Sequence, residues 1–152
     1  MLDSGVLALA TQRRGHRAGD ACRGWIAACS RAGARLVVPG IANYETRREL
    51  IRARKQAAVI RLDRFIAAAP DRYLPLTDAV LLRAAELWAE IRQRGLPTAD
   101  PRELDVDVIL VAQALELGVP ANDLVVATTN VGHLSRFLDA RQWTEIHPPA
   151  GS

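Results

Sequence analysis

Apolar residues recur along the chain in two patterns, one spaced three and four apart and one continuous and short, and their alternation predicts helices interleaved with strands. Met1 to Asp3 starts as a very short strand and passes at once into an apolar helical turn, Val6-Leu7-Ala8-Leu9. Asp20 is placed to cap a helix running to about Arg31, with Trp25, Ile26 and Cys29 on one face and Gly33 as its stop. Arg35-Leu36-Val37-Val38-Pro39 reads as a buried strand ended by Pro39 and Gly40. A long arginine-rich helical stretch then covers Ile41 to about Ala69, broken near Gln56. Tyr73-Leu74-Pro75-Leu76 is extended, and Pro75 argues for an edge or a turn. Thr77 caps a helix to about Arg94, with Val80, Leu81, Ala84, Leu87, Trp88 and Ile91 in helical spacing and Gly95 closing it. Leu96 to Glu103 reads as a loop, Val106 to Leu117 as a buried helix stopped by Gly118, and Leu124-Val125-Val126-Ala127-Thr128 as a central parallel strand. Trp143-Thr144-Glu145-Ile146 is a candidate last strand.

Strands alternating with helices imply right-handed βαβ units and a parallel sheet flanked by helices. With 152 residues and no repeat or flexible linker, one domain over residues 1–147 with a short tail at 148–152 is the economical reading. Apolar residues at 49% and charged residues at 24% exclude disorder. No run approaches the roughly 18 apolar residues of a membrane span. The acidic start Met1-Leu2-Asp3-Ser4 argues against a secretory signal peptide and for a cytoplasmic protein. Cys22 and Cys29 stand two helical turns apart, roughly 10 Å along the axis, and read as buried free thiols.

Charge sharpens the picture. Residues 13–64 hold 13 Arg or Lys against four acids, a balance of +9, whereas residues 98–145 hold eight acids against three arginines, a balance of −5. A basic half beside an acidic half suits a polyanionic partner with cations held on the acidic side; solvated helix faces are the plain alternative.

In open parallel sheets ligands gather beyond the carboxyl ends of the strands. Asp3 ends the first strand, Glu45 lies early in the helix after the second, Asp107 opens the apolar helix, and Thr128-Thr129-Asn130 follows the central strand. Three carboxylates converging there would form the oxygen-rich site that Mg²⁺ or Mn²⁺ prefers. Each has a structural alternative: Asp3 and Asp107 as helix caps, Glu45 paired with Arg48, Glu49 paired with Arg52. Burying two uncompensated carboxylates is costly, and a bound cation is the usual compensation.

At these residues the chain resembles a known family. Leu2-Asp3-Ser4-Gly5-Val6-Leu7, Pro39-Gly40-Ile41-Ala42-Asn43-Tyr44-Glu45, Asp107 through Gly118, and Val126-Ala127-Thr128-Thr129-Asn130-Val131 are similar, in order and spacing, to the four motifs of PIN domains. Compact bacterial members are mostly VapC-type toxins of toxin–antitoxin pairs. The resemblance implies an α/β fold, a three-layer α/β/α sandwich with a central, mainly parallel sheet. It further implies a Mg²⁺- or Mn²⁺-dependent endoribonuclease, a cognate antitoxin protein as partner, and a homodimer. Carried over, Asp3 and Asp107 would be the principal metal ligands, and Glu45 would hold water at the metal or a second cation. Ser4 and Thr128 match the family's hydroxyl residues. Three departures stand out. Asn130 and His133 occupy the region where a fourth acid is common, Asp105 lies two residues before Asp107 as its substitute or supplement, and only Met1 and Leu2 precede Asp3.

A divalent ion would lower the pKa of an attacking water and reverse the sign of a pocket that otherwise repels RNA. Cations outside the pocket must then hold the strand, and Arg47, Arg48, Arg52 and Arg54 are the candidates. Asp105-Val106-Asp107-Val108 also resembles the start of haloacid-dehalogenase phosphatases, but no hydrophobic strand precedes it. A receiver domain needs a lysine near its acids, and Lys55 is misplaced for that. A PIN-like binding module without cleavage is the remaining alternative.

Overall fold

The structure, a computed structural model, describes residues 1–95, 101–132 and 134–149, with backbone alone for 101–104. It is an α/β protein with very short parallel strands. The helices are α1 (Ser4–Ala10), α2 (Arg17–Arg31), α3 (Gly40–Arg52), α4 (Gln56–Ala67), α5 (Asp78–Gln93) and α6 (Pro101–Glu116). The strands are β1 (Val38–Pro39), β2 (Tyr73–Leu74), β3 (Val126–Thr128) and β4 (Ala140–Gln142). β1 pairs with β2 and β3 with β4, both parallel. The first three residues lie between these ribbons. Leu2 N–H donates to Val37 O at 2.9 Å, Ala127 N–H donates to Met1 O at 2.9 Å, and Asp3 N–H donates to Ala127 O at 3.0 Å. Only Leu2 forms a bridge, to Ala127, so this stretch is thinner than the strand expected from sequence.

Side chains leave this central line alternately, as extended backbone requires. Leu2 and Ala127 pack with Val6 and Leu7 of α1 and Cys22, Ile26 and Cys29 of α2. Met1 and Val126 pack with Ile41, Leu110 and Ala114 instead. Burying one such side chain contributes about 1.5–3 kcal/mol. Val80, Ala84 and Ile91 of α5 meet Val108 and Ala112 of α6, and Leu50 of α3 meets Val59 and Leu62 of α4. Cys22 and Cys29 are buried free thiols, as their spacing indicated.

Several boundaries differ from the sequence reading, and the strand read over Arg35–Pro39 is confined to Val38–Pro39. α2 is capped by His16, whose Nδ1 accepts from Gly19 N–H at 3.1 Å; Asp20 sits in the first turn and binds Arg23 and Gly15 N–H instead. α6 begins at Pro101, so Pro101–Glu103 are helical rather than loop, Pro101 being well suited to a first helical position. Residues 96–100 of that loop lie outside the described residues. The last strand is Ala140–Gln142, and Trp143–Glu145 forms a 3-10 turn held by a hydrogen bond from Trp25 Nε1 to Ile146 O at 2.8 Å. The break between α3 and α4 falls at Ala53–Lys55, next to Gln56 as the sequence indicated, and Arg54 there takes a φ of 55° in a position glycine usually fills.

One buried side chain holds the frame for the site. Gln113 on α6 accepts from Ile41 N–H at 3.0 Å and donates to Leu74 O at 2.8 Å and Pro75 O at 3.2 Å. α3 starts after Pro39, which cannot cap it with a side chain, and Gln113 satisfies the open amide of its first turn. Gly40 admits the close approach to β2: a Cβ there would meet Leu76 N at 3.0 Å and Leu74 O at 3.2 Å.

Candidate active site

Beyond the carboxyl ends of the strands lies a pocket of about 290 Å³ lined by Asp3, Ser4, Gly5, Glu45, Asp107, Thr129 and Asn130, among others. Asp3 reaches it from the end of the central segment, Glu45 from the second turn of α3, and Asp107 from the second turn of α6. Asn130 comes from the loop after β3.

Asp3 is held at both oxygens. As N-cap of α1 it accepts from Ser4 N–H at Oδ1, 2.7 Å, while Thr128 Oγ1–H donates to Oδ2 at 2.7 Å. The capping alternative is therefore real for Asp3 but leaves its second oxygen bound to β3. For Asp107 capping fails, because α6 begins six residues earlier; its side chain is half-buried and has a partner within the fold. Glu45 lies beside Arg48, with Arg48 Nη2 3.6 Å from Oε1. Burial raises the Glu45 carboxyl above the ordinary glutamate value; a hydrogen bond from Ser4 opposes this, and the charge of Asp3 adds to it. Ser4 is itself fixed from α3, since Thr46 Oγ1–H donates to Ser4 O at 3.2 Å.

The floor of the pocket is tight. A Cβ at Gly5 would collide with Thr129 Oγ1, so a side chain at position 5 would force the Thr129 side chain to shift. Asn130 closes that loop, its N–H donating to Thr128 Oγ1 at 3.0 Å and its Oδ1 accepting from Gly132 N–H at 3.4 Å. Sequence reading did not single out Gly5, Thr46 or Gln113. A glycine after Asp-Ser and a polar residue inside the apolar run 108–117 were the available signals.

The remaining candidates fall elsewhere. Asp105 is exposed and lines a groove with Leu81 and Trp88 of α5, turned away from Asp107 by the helical step of two residues. His133 lies outside the described residues. On α3, Arg47 pairs with Asp63, Arg48 with Glu45 and Glu49, and Arg52 binds Glu49 at 2.7 and 2.8 Å, while Arg54 stands exposed at the corner after α3. Among the described residues no three His, Cys, Asp or Glu side chains stand at the spacing of a metal cage. The carboxylates share a pocket without being drawn together. Their chemistry still fits a hard divalent cation: every polar donor is oxygen, and the Asp3 charge pushing on Glu45 is the repulsion such an ion relieves.

An α/β chain with carboxylates from separate segments meeting at the strand ends defines a class of protein whose chemistry rests on acids. The PIN-domain profile matches residues 1–133, and the chain belongs to the PIN-domain family. PIN domains are generally nucleases, often the toxins of toxin–antitoxin systems, and typically use divalent metal ions. No curated protein and no solved structure matches the chain. No helix among the described residues is long and apolar enough to cross a membrane.

Proposed function

We propose that this protein is a metal-dependent endoribonuclease of the VapC type, the toxin of a toxin–antitoxin pair acting in the cytoplasm, possessing one PIN-like domain over residues 1–147. The observation that carries this reading is the meeting of Asp3, Glu45 and Asp107 in one pocket at the strand ends, with Glu45 under electrostatic stress from burial and from Asp3. The opposite destinations of Met1 and Leu2, and of Val126 and Ala127, favour the three-layer α/β/α sandwich.

Asp3 and Asp107 would hold the ion, with Glu45 as the further acid. A bound Mg²⁺ or Mn²⁺ supplies neutralisation of the phosphate and a lowered pKa for the attacking water. Asp3 is oriented for its part by Ser4 N–H and the Thr128 hydroxyl, so its rotamer is fixed before substrate arrives. Glu45, in the same pocket, would hold the attacking water and accept its proton. The Asn130 amide contributes a neutral polar group beside the scissile phosphate.

Asn130 in place of a fourth acid favours a second reading, a PIN-fold RNA- or protein-binding module that does not cut. RNA cleavage with Mg²⁺ or Mn²⁺, compared with Asp107→Asn, separates the two. Metal-dependent cutting lost in the variant is expected; a wild type that binds RNA yet cuts no better than the variant overturns the nuclease reading. The toxin assignment further expects growth arrest when this chain is overproduced alone, relief by a copurifying antitoxin, and a homodimer in solution.

A further inference from the structure

The cations that sequence reading chose on α3 are largely occupied by Asp63, Glu45 and Glu49. Arg13 and Arg17, at the turn between α1 and α2, differ: among the described residues their side chains form no hydrogen bond or ion pair. With Gly15, His16, Trp143 and Thr144 they line an open concavity of about 620 Å³ to which no carboxylate contributes.

The turn beneath them is built rather than loose. Arg23 Nη1 donates to Ala10 O at 3.2 Å and Gln12 O at 2.7 Å, Arg23 Nη2 donates to Arg13 O at 3.4 Å, and Arg61 Nε donates to Thr11 O at 2.6 Å. Two guanidinium groups thus claim four successive carbonyls, and residues 13–18 of the turn are exposed. Gly19 lets α2 approach this closely, since a Cβ there would meet Gln12 Cβ at 2.8 Å and Leu9 O at 2.9 Å. Asp20, the acid of this stretch, is engaged by Arg23 and by Gly15 N–H at 2.9 Å. Two elements link the concavity to the acid pocket, although the two share no lining residue. α1 leads from Gly5 to the turn over about 10 Å, and Gln142, just before Trp143, donates to the carbonyl of Thr129 at 3.4 Å.

We propose that the α1–α2 turn seats the phosphate backbone of a single-stranded nucleic acid whose scissile phosphate lies in the acid pocket, with Arg13 and Arg17 each taking a flanking phosphate. This rests on the nuclease reading above. Uncommitted guanidinium groups on a fixed turn bind phosphate without first breaking an ion pair, which the α3 arginines would have to do.

The test is fluorescence anisotropy of a short labelled single-stranded RNA across salt concentrations, with EDTA present so that nothing is cut. The Arg13→Gln/Arg17→Gln variant should lose at least about tenfold in affinity and about 1.4 in the log–log salt slope, the value for two phosphates. The corresponding double lysine variant should retain the slope. Arg47→Gln/Arg52→Gln should shift affinity less than about threefold. A glutamine double variant within about twofold of wild type and with unchanged slope overturns the proposal. So does one that loses affinity for polyglutamate but not for RNA, which would mark the turn as a seat for an acidic protein segment. Both arginines are exposed, so melting temperature should be unchanged, which excludes misfolding as the cause. A wild type that binds RNA through this turn but never cuts it overturns the nuclease reading alone; a wild type that cuts while the double variant binds and cuts equally well overturns this proposal alone.

Discussion

Two hollows flank opposite ends of the same short strands. The one at the amino ends is larger, about 390 Å³, and is lined mainly by apolar groups, among them Leu2, Trp25, Cys29, Leu36 and Val37. The one at the carboxyl ends is about 290 Å³ and brings together Asp3, Glu45, Asp107 and Asn130. At the first end, removing side chains from water stabilises the fold. At the second, it works against the charges placed there, as the raised Glu45 carboxyl records. Volume therefore misleads as a guide to chemistry here. The end that burial penalises is the end with a reason, beyond stability, to exist.

The largest contrast should come from one substitution at each end. Asp107→Asn should cut RNA cleavage by at least about a hundredfold while leaving the urea midpoint nearly unchanged. Leu36→Ala should cost about 2–4 kcal/mol in urea unfolding, with the molecules that stay folded cleaving at the wild-type rate. If either variant lost activity and stability together, the two ends would not be separable.

Gly5→Ala probes the boundary between them and should destabilise by about 1–3 kcal/mol, because its methyl group would displace Thr129. Adding Thr129→Ala should recover most of that loss in a denaturation cycle; additive penalties would show that the crowding lies elsewhere.

The smallest effect sharpens the electrostatic half of the comparison. Between the unfolded and the higher folded pKa of Glu45, the folded chain binds more protons than the unfolded chain, so stability falls as pH rises through that window. Without metal, Glu45→Gln should therefore melt above wild type at pH 7, the gap closing below the ordinary carboxylate range. Identical melting curves for the two proteins at pH 7 would argue against the stress on Glu45.

Helices were the most legible part of the fold, because their ends carry local chemistry: Thr77 does cap α5, and Gly33, Gly95 and Gly118 do take positive φ just past helix ends. Asp20 misled because a histidine four residues earlier supplied the capping atom, and a side chain's partner is not written in its spacing. Strands of two or three residues are too short to show a period, which is why β4 went unrecognised while the apolar turn after it drew attention. The acids of the pocket were legible as residues following strands. Their support was not: Thr46 reaching Ser4, Gln113 reaching Ile41 and the partners of each α3 arginine all depend on tertiary approach.

Asp3 and the Thr128 hydroxyl that orients it stand 125 residues apart along the chain. Leu2, likewise, has Val37 as its neighbour on one side and Ala127 on the other. The orientation of this carboxylate is therefore a property of the completed fold and of no local stretch of sequence.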